Sequence, residues 1–406
     1  MISIRGKYGE AVVYTDKLED VAKDQIRDLC DEEISQGATI RVMPDVHSGK
    51  GCVIGLTMTI TDKVIPNLVG VDIGCGISGI RLAEKELDFE RVEAVISKNV
   101  PSGFAIRKEI HPSIGEEAKE LVKRLRCQKH QEMNKAMLSL GTLGGGNHFI
   151  EIGRDLDGDL WLFIHSGSRG IGNQVAQHYQ KMAIAHQKKL KKKSGAELEA
   201  TIAQLKAEDR FDEIKSFLKN SKSEAAQDKP DLAYLEGQEM EDYLHDADLM
   251  QQYAFLNRKT MIQSILEGLK SPTKMEDLIS VHHNYIDKKE GIIRKGAISA
   301  KENEIVFIPM NMRDGMIIGK GLGNPSWNCS APHGAGRVMS RTAAKRSLSL
   351  EHFQSTMADV WSRSVATSTL DEAPMAYKPM AEILEHIDET VEVLEVVKPL
   401  YNFKAK

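Results

Sequence analysis

Six short stretches of this sequence concentrate side chains able to bind metals or attack phosphorus. They are MPDVHSGKG with Asp45, His47 and Lys50, GVDIGCG with Asp72 and Cys75, GGGNHFIE with Asn147, His148 and Glu151, FIHSGSRGIGN with His165 and Arg169, VHHNY with His282, His283 and Asn284, and SAPHGAGR with His333. Glycine turns release neighbouring side chains from regular ladders and let a ligand approach the backbone. Six of the chain's 13 histidines fall in these segments. A single histidine beside a strand is commonly a hydrogen-bonded structural residue. A thiolate, a carboxylate and several imidazoles delivered from separate strand ends are different, because together they form the borderline donor set that suits Zn, Mn, Fe or Co. A tight turn over 70–76 would aim Asp72 and Cys75 at one ion, or let the thiolate bridge two.

Two further patterns concern phosphate. GCGISG, residues 74–79, matches GxGxxG, a dinucleotide signature only where it opens a helix. Here ISGIRLAE alternates as another strand would, which argues against a dinucleotide fold. No GxxxxGK[ST] phosphate loop occurs. His333, Arg337, Arg341 and Lys345 recur at intervals of four, so a helix beginning near Gly334 would align the cations on one face with the histidine at its N-terminal end. Such an array suits phosphates, and an imidazole beside it suits attack on phosphorus. The plain alternative is a solvated basic helix.

The elements that must position these residues read as a β-rich frame with helices. Residues 1–85 contain short strand-like runs, VVYT, ATIRVM, CVIGLTMTIT, LVGVDI and SGIRL, broken by glycine turns. Helical periodicity covers Phe89 to Leu125, and strands return across 137–170. Residues 174–270 are rich in Lys, Glu, Gln, Ala and Leu, with Ile202, Leu205, Ile214 and Leu218 at helical intervals. They read as a charged helical insertion projecting from one side, with KSEAAQDKP (222–230) as its loop and KKLKKK (188–193) as a solvated face. After Ser280 the glycine-punctuated β style resumes through NCSAPHGAGRVMSR, and two helical stretches precede YNFKAK.

Totals narrow the class. With 406 residues, 41% of them hydrophobic, the chain can bury a large core. Five scattered cysteines argue against a disulfide framework and for a reducing compartment. No run approaches the roughly 18–20 apolar residues that span a bilayer, and MISIRGKYGE lacks a signal-peptide core, so a cytoplasmic protein is expected. A net charge of −5 excludes a uniformly basic nucleic-acid coat but leaves room for a local basic groove.

Taken in order, MPDVHSGKG, GVDIGCG, LGTLGGGNHFIEI, HSGSRGIGN, HHNY and HGAGRVMSR resemble the RtcB family of RNA-splicing ligases, from about Asp45 to the C-terminus, with 174–270 the least diagnostic part. The resemblance implies an enzyme that joins an RNA 3′-phosphate or 2′,3′-cyclic phosphate to a 5′-hydroxyl end, using GTP and two Mn2+ ions. By the same matching His333 carries GMP and Asp45 assists, while Asp72, Cys75, His148, His165 and His283 hold the ions with Cys75 shared. Asn147, Arg169 and Arg337 would contact phosphates, and Glu151, Tyr377 and Lys404 would meet guanine. PMNMRDGMIIGKG, residues 309–321, departs from the family's PGSMG pattern and sets Met316 where a base-contacting serine is usual. The expected fold is α+β, with a β-rich catalytic core, outer helices and the 174–270 insertion inside one catalytic domain spanning 1–406. Two other functions suit the same residues: an Mn-dependent phosphodiesterase that opens cyclic ends without ligation, and a non-catalytic RNA-end binder. No helper protein is identifiable from the sequence.

Overall fold

Alternating side chains in the glycine-bounded segments build two main sheets; the computed structural model describes residues 1–112, 115–127, 132–214 and 229–405. The first sheet has six strands in the spatial order Ile2–Arg5, Glu10–Val13, Ile40–His47, Ile54–Thr59, Ile292–Lys295 and Asn284–Asp287. Its one parallel pairing sets Ala11 opposite Ile40. The second sheet has seven antiparallel strands, ordered Ile279–His282, Gly76–Arg81, Leu160–Ser166, Phe149–Arg154, Val391–Phe403, Met316–Gly321 and Ile305–Pro309. Between His282 and Asn284 the chain leaves the second sheet and enters the first, so His283 lies at their junction. A short ladder of Ala297–Ser299 with Ser330–Pro332 delivers His333 to the same junction.

Period-two geometry decides which side chains face the site. Along Leu160–Ser166, Leu160, Leu162 and Ile164 enter a core with helix Phe89–Asn99 and the end of helix Gly237–Leu269. Trp161 and Phe163 enter the core on the other face, with Phe307 and Ile317, and His165 continues their side. The neighbouring strand repeats the scheme: Ile150 and Ile152 point to the helices, while Phe149 and Glu151 lie opposite His165 and Phe163. On the final strand Tyr401 and Phe403 face the helices, and Asn402 pairs with Glu151.

This is a mixed α+β fold with outer helices. Several expectations need correction, however. Residues 174–270 do not project from one side as a whole. A helix starts at Arg169 and runs to Ala207; its first turns bury Ile171, Val175, Tyr179 and Ala183, and only further on do Lys188, Lys189, Lys191 and Lys192 stand exposed. Helix Gly237–Leu269 is a core element, with Tyr243, Met250 and Tyr253 buried under the first sheet's core and Met261, Ile262 and Ile265 under the second's. The charge-rich stretch beside it dominates the composition and hides its apolar faces. Leu218 and residues 222–228 of the expected loop lie outside the described residues.

LVGVDI is not a strand. Its first residue, Leu68, ends a 3-10 turn, Pro66–Leu68, and Gly70 turns the chain with φ +95°. The helix expected from Gly334 is also absent: residues after His333 form an irregular loop, and a helix begins only at Arg341, where the Ser340 hydroxyl accepts from Ala343 N–H. Gly336 shows why, since it adopts φ +73° with its Cα so near the Asp45 carbonyl that a Cβ would sit 2.3 Å away. Finally, Val391–Phe403 forms a 13-residue strand, running into YNFKAK, in a region where only helical stretches are expected. Among the described residues no helix is long and apolar enough to cross a membrane.

Candidate active site

GVDIGCG closes a turn in which Cys75 N–H donates to Asp72 C=O (3.2 Å), just before the strand Gly76–Arg81 begins. That strand pairs with Leu160–Ser166 and Ile279–His282, which brings His165 and His283 to Cys75. Cys75 Sγ lies 3.5 Å from His148 Nε2 and 3.3 Å from His165 Nε2, and His165 Nε2 lies 3.3 Å from His283 Nε2. Asp72 Oδ2 is 3.2 Å from His148 Nε2, while its Oδ1 accepts from Ser168 N–H at 2.9 Å. Gly167 leaves room for that carboxylate, because a Cβ there would lie 2.1 Å from Asp72 Oδ1.

The donor chemistry fits a cation. His148 Nδ1 and His165 Nδ1 face the carbonyls of Leu143 (2.9 Å) and Asn147 (3.1 Å), which can only accept. Each proton is thereby fixed on Nδ1, and both Nε2 lone pairs point at Cys75. Burial holds His165 and His283 well below the usual imidazole range, so both rings are neutral. Burial and the Asp72 charge push the Cys75 thiol well above its ordinary value. Burial would also raise Asp72, but its contact with His148, the Ser168 N–H and the Arg169 charge outweigh it and hold the carboxyl below its usual range. A thiolate beside this carboxylate therefore requires a neighbouring positive charge. The ligand atoms of Cys75, His148 and His165 lie within 4.8 Å of one another, all buried.

His333 stands next to this group, its ring centroid 4.9 Å from that of His283. Asp45 lies on strand Ile40–His47 and is fully buried. Its Oδ2 accepts from His333 Nδ1 (2.6 Å) and from His333 N–H (3.2 Å). The carboxylate sets the tautomer and leaves the ring lone pair on Nε2.

A cavity of about 320 Å³ opens beside these groups, and Asn147, Glu151, Arg337, Arg341, Glu372, Tyr377, Asn402 and Lys404 line its far side. Lys404 Nζ donates to Glu372 Oε2 (2.7 Å) and to Asn147 C=O (3.3 Å). Tyr377 O–H donates to Glu372 Oε2 at 2.8 Å and accepts from Arg337 Nη1 at 3.2 Å. Burial would raise Glu372; the charges of Lys404 and Arg341 hold it below the usual range. Glu151 differs: burial pushes it up to about 8, against the Asn402 hydrogen bond (2.9 Å) and the Lys404 charge.

Residues 33–405 match the family described as tRNA-splicing ligase RtcB. The chain belongs to the RtcB family. It is 34% identical over 394 residues to the RNA-splicing ligase RtcB of Escherichia coli (strain K12), with 88% of each chain covered. Identity to the tRNA-splicing ligase RtcB of Pyrobaculum aerophilum is 26% over 430 residues, covering 85% of this chain and 82% of the relative. A second Escherichia coli protein, RNA-splicing ligase RtcB2 of strain ATCC 25922, is 26% identical over 382 residues, covering 84% and 81%.

Most of the residues expected from the RtcB resemblance converge on this cavity. Arg169 does not reach its wall. With φ +59°, it folds its guanidinium under Gly144, donating to Thr142 Oγ1 (3.0 Å) and Gly103 C=O (3.0 Å). Met316 is likewise turned away: it begins strand Met316–Gly321, buried opposite Val397, and Met310, Asn311, Met312 and Gly315 form that part of the wall instead. The cations also differ from a solvated stripe, since Arg341 meets Asp371 (2.8 Å) and Glu372 (2.7 Å) and Lys345 meets Asp371 (3.2 Å). Glu372 and Asn402 were missed by sequence reasoning. Asn402 lies in the strand Val391–Phe403 two residues before Lys404, a spacing that puts both on the same side of extended chain.

Proposed function

We propose that this RtcB-family protein is an RNA ligase that uses GTP and Mn2+ to join an RNA 3′-phosphate or 2′,3′-cyclic phosphate to a 5′-hydroxyl end, as in RNA repair or tRNA splicing. The names of its relatives support RNA ligation and splicing. Asp72, Cys75, His148, His165 and His283 are the residues to hold two ions, with Cys75 shared. Bound there, divalent cations would neutralise and orient triphosphate oxygens for in-line displacement. His333 Nε2 attacks the α-phosphorus of GTP, forming the N–P bond as the bond to pyrophosphate breaks. A 3′-phosphate oxygen of RNA, generated by water when the end is cyclic, then takes GMP and frees the imidazole. Attack by the 5′-hydroxyl on the activated 3′-phosphate closes the phosphodiester and expels GMP. Asn147 and Arg337 bind phosphates, while Arg169, tied to Thr142 and Gly103, supports the loop before His148; Glu151, Tyr377 and Lys404 read the guanine edge. Residues 1–406 act as one catalytic unit, because both sheets supply site residues.

The strongest support is the 2.6 Å contact of His333 Nδ1 with Asp45 Oδ2, which readies Nε2 on the wall shared with Cys75 and His283. Incubating 2′,3′-cyclic-phosphate RNA and 5′-hydroxyl RNA with Mn2+ and each of the four nucleoside triphosphates tests the proposal: joined product with GTP is expected. Hydrolysis of the cyclic end with no joining under any nucleotide would favour the Mn-dependent phosphodiesterase instead.

A further inference from the structure

Helix Gly237–Leu269 packs against strands Gly76–Arg81 and Leu160–Ser166, and one dipeptide within it reaches every loop that brings a ligand to the Cys75 group. Asn257 Oδ1 accepts from Gly141 N–H (2.8 Å) and Thr142 N–H (3.1 Å). Its Nδ2 donates to Thr142 C=O (3.1 Å), Ser166 Oγ (3.1 Å) and Gly167 C=O (3.0 Å). One amide thus ties the segment before His148 to the segment after His165. Arg258 continues the tie: Nη1 donates to Gly74 C=O (2.9 Å) and Ser166 C=O (2.8 Å), Nε to Ser78 Oγ (2.9 Å), and Nη2 to Ser280 Oγ (3.1 Å). Gly74 and Ser166 are the immediate neighbours of Cys75 and His165.

Both side chains are fully buried. Every hydrogen-bond acceptor of Arg258 is neutral, and burial lowers it only to about 10, so it stays charged at neutral pH. Enclosing a cation with no carboxylate hydrogen-bonded to it is costly in a way that an apolar residue would avoid. What the guanidinium offers in return is a rigid planar fork that fixes several backbone segments at once, which neither lysine nor methionine supplies.

We propose that Asn257 and Arg258 are positioning residues of the metal centre, holding Asp72, Cys75, His148 and His165 at the separations a cation needs. The proposal rests on the metal-binding part of the proposed function. Neither side chain touches substrate or ion; they act through the loops they pin, as outer partners of metal ligands do.

Co(II) titration of the full chain tests it, because thiolate-to-cobalt absorption in the near ultraviolet reports Cys75 coordination without catalysis. Arg258→Lys keeps the charge and loses the fork, and Asn257→Asp keeps the acceptors and loses the donors. Each is expected to weaken Co(II) binding about 10- to 100-fold and to alter the band while far-ultraviolet circular dichroism is unchanged. Arg294→Lys is the control, since Arg294 is equally buried but bonds Ser330 Oγ and Asn328 C=O, in segments that carry no ligand to Cys75. It should lower the melting temperature and leave Co(II) affinity intact. Should Arg258→Lys not fold, Ser280→Ala, which removes the Nη2 partner and its 2.8 Å contact with Ser78 Oγ but leaves the guanidinium, is expected to give a smaller loss of affinity. Wild-type affinity and spectrum in folded Arg258→Lys and Ser280→Ala, or an equal loss in Arg294→Lys, would overturn the positioning role. Absence of a thiolate band in the wild-type protein is distinguishable, and would remove the metal reading itself.

Discussion

Asp45 meets His333 twice through one oxygen, at the ring nitrogen and at the backbone N–H, so its loss should misorient the nucleophile without unfolding the chain. Asp45→Asn is expected to slow transfer of GMP to the protein by about 10²- to 10⁴-fold, measured as the rate of single-turnover labelling. Glu151 supplies a pH dependence. Its carboxyl, pushed up to about 8 by burial, is mostly neutral below that value and ionised above it. Only the ionised form accepts two guanine N–H groups with both oxygens, so GTP binding should strengthen as pH rises through about 8 and weaken up to about ten-fold for each unit below. Calorimetric titration across that range checks the sign, and Glu151→Gln should flatten the curve. Residue identities such as Cys75 and His333 were legible in the sequence because their types are rare and their neighbours are glycines. Glu372 was not, since nothing in LDEAPMAYK separates a buried anchor for Lys404 and Arg341 from an ordinary surface acid.

At the level of elements, strands were easier to read than their boundaries. Strands Phe149–Arg154 and Leu160–Ser166 fall where the β-like pattern across 137–170 places strands, whereas spacing by four between His333 and Lys345 suggested a helix that the backbone rejects before Arg341. Gly336 decides that case: it needs a left-handed φ and close contact with the Asp45 carbonyl. Gly336→Ala should therefore cost about 1–2 kcal/mol of stability in urea unfolding, yet reduce guanylylation far more than this small loss of folded protein explains, because the loop that carries His333 must leave Asp45. Helix Gly237–Leu269 was hidden for another reason. Its buried faces depend on two separate cores, a tertiary fact that local composition does not record, and only its low charge between Leu249 and Leu266 distinguishes it from the exposed stretch before it.

Across the whole molecule, the site exists only where the two sheets meet, so metal binding and folding should be coupled. Saturating Mn2+ at about 100 times its dissociation constant is expected to add roughly 2.7 kcal/mol, seen as a rise in melting temperature that Cys75→Ser abolishes. The net charge of −5 and the pairing of Arg341 and Lys345 with Asp371 and Glu372 reduce the positive field beside the cavity. RNA affinity should then fall with salt through only a few released counterions, and a slope equivalent to ten or more phosphates would contradict a local groove. The central claim is that His333 becomes covalently guanylylated beside a cation held by Cys75 and its histidines. Incubation with GTP labelled at the α-phosphate, in Mn2+, measures it directly: the wild-type chain should carry an acid-labile label that His333→Ala lacks, and equal labelling of the two proteins would contradict the account.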